Sequence, residues 1–268
     1  MIGVHKAFGS LVVLAGIDLE ISRGKTTVVI GPSGCGKSVL LKHVVGLLKP
    51  DSGEVWFRHH CISSLPESAL VRVRRRMGFL FQGGALFDSM TVQENVCFPL
   101  AEHHVGTDES RIDRSRQVLD LVGLNGLQGR YPEELSGGQK KRVALARAIA
   151  LEPELILYDE PTTGLDPVRA DLINELILKL QSALGTTAIV VTHDMASARK
   201  VGDRIVMLHE GKLIVDASPE ELENVDDDVV QRFVQGRASP GELAQLHRGY
   251  VSAAKTIAAG PARQEPPP

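Results

Sequence analysis

The eight residues Gly31-Pro32-Ser33-Gly34-Cys35-Gly36-Lys37-Ser38 constrain this chain more than any other stretch. They follow an apolar run, Thr26 to Ile30, and precede the helical pattern Val39, Leu40, Leu41, Val44 and Val45. A strand, a glycine loop and a helix in that order form a phosphate cradle. Backbone N–H groups wrap the anion, a lysine reaches its terminal oxygens and a hydroxyl binds magnesium. Glycine is required where the backbone turns sharply against the anion. The helix start adds unpaired N–H groups and the positive end of its dipole. Gly31, Pro32, Ser33, Gly34, Cys35, Gly36, Lys37, Ser38 and Val39 are therefore the first candidate ligand-binding residues. As a small loop residue, Cys35 needs no reactivity to explain it.

Three further apolar runs end in polar chemistry. Met77 to Phe81 leads to Gln82, Leu155 to Tyr158 leads to Asp159-Glu160, and Ala188 to Val191 leads to Thr192-His193. In an open α/β sheet, ligands bind beyond the carboxyl ends of the strands, so these separated residues can meet around one nucleotide. Asp159 suits a carboxylate facing magnesium, with Ser38 as an oxygen ligand. Glu160 is placed to polarise an attacking water. Taken alone, Asp159-Glu160 would be a helix cap or surface turn. The other chemical motif is Leu135-Ser136-Gly137-Gly138-Gln139, ahead of Lys140-Lys141-Arg142 and an alanine-rich helix. Ser136 and Gln139 have capping-box spacing. A cap does not need Gly137 and Gly138, whose missing side chains let a helix terminus approach a phosphate.

The chain has 268 residues, 43% hydrophobic and 24% charged, with a net charge of -3, which fits a globular protein and argues against a generally basic nucleic-acid surface. Its one dense basic run, Arg72, Arg74, Arg75 and Arg76, reads as a solvated face or strand entrance. Cys35, Cys61 and Cys97 lack metal-ligand spacing, which suits a reducing compartment. No apolar stretch approaches the roughly 20 residues of a membrane helix, and no signal sequence precedes the fold.

The pattern further predicts strands at Val4 to Val13 and Ile17 to Ile21, and another at Glu54 to Phe57. Helices are expected between Phe87 and Ala150, a hairpin around Glu210-Gly211 and a helix starting at Ser218-Pro219-Glu220-Glu221. The stretch 237–268, rich in Ala, Gly and Pro, is expected to be a partly disordered extension, with one amphipathic turn near Leu243 to Tyr250. Phe8, before Gly9, can stack on a base or pack at an edge.

Together these motifs resemble the ATP-binding cassette (ABC) family, with Leu135 to Gln139 matching its signature sequence. The resemblance implies an α/β P-loop NTPase fold, an ABC nucleotide-binding domain over residues 1–236 with an N-terminal antiparallel β-subdomain and an inserted α-helical signature subdomain near 83–150. It implies a Mg2+-dependent ATPase whose two copies form a head-to-tail homodimer, each signature loop completing the opposite ATP site. Phe8 becomes the base-stacking aromatic, Gln82 a sensor of magnesium and the attacking water, and His193 a contact to the terminal phosphate. Thr163-Gly164-Leu165-Asp166 takes the place of the loop between subunits, commonly Ser-Ala-Leu-Asp, and retains Asp166.

A narrower resemblance is to Mla-type phospholipid transporter ATPases, through Gly36-Lys37-Ser38-Val39-Leu40-Leu41-Lys42-His43, Phe81 to Val96 and Phe98-Pro99-Leu100. It implies an MlaE-like transmembrane permease, an MCE-domain lipid-binding protein, a lipid substrate and a peripheral place on the cytoplasmic face of the inner membrane. In the wider family the stretch Gly83 to Asn95 lies beside the groove that receives a permease helix. Alternatives are the motor of an amino-acid or other small-solute importer and a soluble cassette protein of DNA repair or translation. The latter is disfavoured by the absence of a long coiled-coil insertion, a zinc cluster or basic charge.

Overall fold

A computed structural model describes residues 1–241, 243 and 244, so the turn expected near Leu243 to Tyr250 lies largely outside the described residues. Its contacts divide the chain into a unit spanning Met1–Leu222 and a second that begins at Glu223.

The first unit opens with β1 (Ile2–Phe8) and β2 (Leu11–Ile17), followed by β3 (Thr26–Ile30) and α1 (Lys37–Val44). Short strands β4 (Ser52–Glu54), β5 (Trp56–Phe57) and β6 (His60–Cys61) lead to α2 (Glu67–Arg74) and β7 (Met77–Leu80). Three helices follow, α3 (Val92–Glu102), α4 (Asp108–Leu121) and α5 (Gly137–Ile149). The chain then returns through β8 (Leu155–Asp159), α6 (Pro167–Leu184), β9 (Thr187–Val191), α7 (Met195–Val201), β10 (Arg204–His209) and β11 (Lys212–Ala217).

Six strands form the main sheet in the order β11-β10-β3-β9-β8-β7, parallel except for the β10–β11 hairpin. Every residue of β3 and β8 is buried, which is why these strands read as unbroken runs rather than alternating ones. Their register sets Val29 beside Val191 and Val191 beside Asp159. The ends of β3, β8 and β9 thus open side by side at one edge. An antiparallel sheet, β2-β1-β4, packs its Val4, Leu14 and Ile17 into the same core.

Several sequence expectations are corrected. Val4 to Val13 is two strands, because Gly9, at φ 62°, turns the chain at Gly9-Ser10. Asp18 to Ile21 forms no strand: the Asp18 carboxylate accepts from the Gly3 N–H at 2.7 Å and the Leu19 carbonyl from the terminal amine at 2.8 Å. Glu54 to Phe57 breaks at Val55. Ser218 and Glu221 do form a reciprocal cap, yet only a 3-10 turn, Glu221–Asn224, follows. In the second unit Asp227, accepting from Val229 and Val230, starts α8 (Asp228–Val234). Among the described residues no helix is long and apolar enough to cross a membrane.

The helical insertion meets the sheet at Gly78 on β7, where an added Cβ would lie 2.6 Å from the Ala148 carbonyl oxygen of α5. A side chain there must push α5 off the sheet. Gly78→Val is expected to destabilise the chain by about 1–3 kcal/mol, the usual cost of overpacking. A lowered urea midpoint with an unchanged slope would check it.

Candidate active site

The loop between β3 and α1 is shaped by its glycines. Gly31, at φ 150°, leaves no room for a side chain: a Cβ would sit 2.2 Å from the Leu208 carbonyl oxygen and 2.9 Å from the Cys35 sulfur. Cys35 is half-buried, and burial pushes its thiol pKa up, away from reactivity. Lys37 is folded back onto the loop, its ammonium donating to the carbonyls of Gly31 at 2.8 Å and Pro32 at 3.0 Å. Pro32 is half-buried, whereas Ser33 and Gly34 are exposed at the tip. Val39 is half-buried in the first turn of α1, and its carbonyl accepts from His43 Nδ1 at 2.8 Å.

Across the cradle stands Asp159 at the end of β8, which accepts from the Ser38 hydroxyl at 2.9 Å. Burial raises the Asp159 carboxyl above its ordinary pKa, and the Ser38 hydrogen bond opposes that shift. The next residue, Glu160, adopts φ 50°, a left-handed conformation uncommon for a side chain of this size. Its N–H donates to the Val191 carbonyl at 2.9 Å. Its carboxylate meets His193 Nδ1 at 2.9 Å, accepts from the Thr163 hydroxyl at 2.9 Å and lies 3.9 Å from Lys37 Nζ. Lys37, Ser38, Asp159, Glu160 and His193 therefore form one contiguous group drawn from three adjacent strand ends.

The donor set suits a hard cation held in part by phosphate. Ser38 and Asp159 offer oxygens, and among the described residues no cluster of three His, Cys, Asp or Glu can hold a metal alone. Magnesium is commonly bound by one or two protein oxygens, water and substrate phosphates.

Among the described residues no hydrogen bond or ion pair ties the other candidates to this group. Gln82 is exposed in the turn after β7, and among the described residues no hydrogen bond joins it to the cluster. Phe8 is 48% exposed with the Lys6 ammonium 5.5 Å from its ring centroid. Asp166 caps α6, accepting from the Arg169 N–H at 3.0 Å. Ser136 caps α5 in a full capping box with Gln139. A Cβ at Gly137 would meet only Leu165, at 3.8 Å, and one at Gly138 only Arg169, at 3.6 Å. Those are ordinary contacts, so packing within this chain does not demand either glycine.

Two contributors escaped the sequence reading: the Thr163 hydroxyl on Glu160, and Lys141. Lys141 donates to the carbonyls of Glu160 at 3.2 Å, Pro161 at 2.7 Å and Thr163 at 2.7 Å. Its one sequence signal was its place on the buried stripe of α5 with Gly138 and Leu145. The Arg72 to Arg76 run is partly structural: Arg74 donates to the Val45 and Gly46 carbonyls and Arg76 pairs with Glu154.

A family model described as ABC transporter matches residues 14–163. The Escherichia coli (strain K12) protein named "Intermembrane phospholipid transport system ATP-binding protein MlaF" is 41% identical over 230 residues, 86% of each chain. A Mycobacterium leprae protein named "Probable ribonucleotide transport ATP-binding protein mkl" is 40% identical over 235 residues, and this chain spans 68% of its length and 66% of its Mycobacterium bovis counterpart. Among solved structures, the ATP-binding cassette MJ0796, dimeric in a post-hydrolysis state with ADP and Pi, superposes with a TM-score of 0.76 at 36% identity. That match covers 81% of this chain and 97% of that one.

The raised Asp159 pKa gives a signed prediction. Its folded form holds a proton more tightly than the unfolded chain does, so its contribution to stability is greatest in acid and is lost as pH rises through the folded pKa. Asp159→Asn keeps an acceptor for Ser38 and removes that loss. The nucleotide-free variant is expected to melt above the wild type at pH 7, with the gain shrinking as the buffer is made acidic. Thermal melts across pH check it.

Proposed function

The chain belongs to the ABC transporter family as an ATPase subunit, and from that premise we propose that it powers phospholipid movement through an MlaE-like permease paired with an MCE-domain lipid-binding protein. The observation that carries the chemical part of this reading is the contiguity of Lys37, Ser38, Asp159, Glu160 and His193. In it, Lys37 moves from the carbonyls of Gly31 and Pro32 to the terminal phosphates of ATP, joined by the backbone N–H groups of Ser33 to Val39. Ser38 and Asp159, with Gln82, hold Mg2+, which when bound neutralises the phosphate charge. Glu160 polarises the attacking water, His193 contacts the terminal phosphate, and Phe8 stacks on the base.

The Ser136-Gly137-Gly138-Gln139 start of α5, exposed at Ser136 and Gly137, serves a second copy of the chain. Glycines that internal packing does not require, on a helix terminus with free N–H groups, suit a phosphate arriving from outside. Asp166 lies on the same dimer face in this reading. Dimeric MJ0796 supports the pairing of two copies.

Phospholipid as cargo is supported by 41% identity to the MlaF protein across 86% of both chains. The name of the mycobacterial relative favours a second reading, a polar solute such as a ribonucleotide. The contact to the permease is proposed at Gly83 to Asn95. Buried Asn95 braces that stretch, accepting from the Phe87 N–H at 2.9 Å and donating to the carbonyls of Phe87, Met90 and Thr91. Arg147 of α5 donates to the Gly84 and Ala85 carbonyls at 2.9 and 2.8 Å. A braced loop presenting Phe87, 39% exposed, suits a peripheral subunit on the cytoplasmic membrane face.

The test is to purify the complex formed by Glu160→Gln and wild-type chains and identify the proteins and small molecules it carries. Glu160→Gln is expected to bind ATP as the wild type does, hydrolyse it about 10²- to 10⁴-fold more slowly, and carry phospholipid with a membrane protein. Full turnover would reject Glu160 as the base. A complex carrying a nucleotide solute in place of lipid would favour the second reading.

A further inference from the structure

Lys141 is the least expected residue on the buried face of α5. It is 7% exposed and stands on the stripe that includes Gly138 and Leu145. An ammonium has three N–H donors, and here all three end on backbone carbonyls of the segment leaving β8, those of Glu160, Pro161 and Thr163. Among the described residues no carboxylate lies within ion-pair distance of it. Burial accordingly lowers its pKa, against a smaller opposing pull from Glu160.

A buried cation without a paired anion is costly unless its donors are satisfied. An apolar residue would fill this position more cheaply, so the lysine needs a reason in what it holds. What it holds is the strained turn of the active site. Glu160 sits at φ 50°, a conformation that persists only where the surroundings impose it. From that turn its carboxylate reaches His193, the Thr163 hydroxyl and the neighbourhood of Lys37. Lys141 braces both ends of this arrangement, the carbonyl of Glu160 and the carbonyl of Thr163, whose hydroxyl bonds the carboxylate.

We propose that Lys141 is a positioning residue for hydrolysis: it clamps the Glu160–Thr163 backbone so that the Glu160 carboxylate stays aimed, and through α5 it ties that carboxylate to the Ser136-Gly137-Gly138 loop of the same chain. The proposal rests on the reading above, in which Glu160 polarises water and the Ser136 loop meets the second copy's nucleotide. Gly138 and Lys141 are three residues apart, about 4.5 Å along a helix axis. Engagement of the loop at one site therefore has a short, rigid path to the carboxylate of the other.

The test uses the full chain with Mg-ATP. Lys141→Met keeps the length of the stem and removes every donor. Its expected phenotype is a kcat lower by about 10- to 100-fold, the scale of a misplaced catalytic group, with ATP affinity unchanged. In the Glu160→Gln background the same substitution should add almost nothing, since groups acting through one another are not additive. Mixed dimers locate the lesion. Lys141→Met in one chain with Gly137→Val in its partner should leave one composite site working, whereas both changes in one chain should damage both sites. Where Lys141→Met does not fold, Lys141→Gln, whose amide can meet two of the three carbonyls, is read for a smaller loss of kcat in the same direction.

A folded Lys141 variant with wild-type kcat, or one whose loss adds in full to that of Glu160→Gln, overturns the proposal. Glu160→Gln turning over like the wild type would instead overturn the functional reading beneath it.

Discussion

Three parallel strands ending level with one another are what the rest of the molecule depends on. Because β3, β9 and β8 are neighbours in register, with Val29 beside Val191 and Val191 beside Asp159, residues far apart in sequence emerge at one edge. The Ser38–Asp159 hydrogen bond joins positions 121 residues apart and needs nothing beyond that register. A slip of one residue in β8 would turn Asp159 to the opposite face of the sheet. Full burial of β3 and β8 makes such a slip costly, since each residue moved would exchange one close-packed layer for another.

The electrostatic arrangement follows from the same edge. The Lys37 ammonium donates to two loop carbonyls, and hydrogen bonds to a charged group contribute about 1.5–3 kcal/mol each. In the proposed site a phosphate must exceed those bonds to capture it, which a multiply charged anion beside a helix terminus can do. Asp159 sits beyond, buried and reluctant to ionise, a condition that a bound cation relieves. Glu160 is held on its other side by the Thr163 hydroxyl and His193, so its direction is fixed before substrate arrives.

Features governed by local sequence were legible in advance. The glycine loop, the polar strand exits and the Ser136 capping box all declare themselves within a few residues, and the α/β architecture follows from them. Backbone-mediated features were hidden. Lys141 bonds only to carbonyls, which every residue carries, so nothing at positions 160 to 163 announces a lysine partner. The left-handed Glu160 is equally silent, since a glutamate carries no preference for that conformation. The Gly9-Ser10 turn was passed over because apolar residues flank it on both sides, and the Ser218 cap was overvalued because a cap can start a helix that its next turn does not continue.

The central claim is that one ATP is enclosed between the cradle of one chain and the Ser136-Gly137-Gly138 loop of another. The structure of the Glu160→Gln chain with Mg-ATP tests it most directly. The account predicts two ATP molecules in a two-fold dimer, each with its terminal phosphate on Lys37 of one copy and within hydrogen-bond reach of Ser136 of the other, and a cation on Ser38. ATP held wholly within one copy, with both Ser136 loops facing solvent, would contradict it.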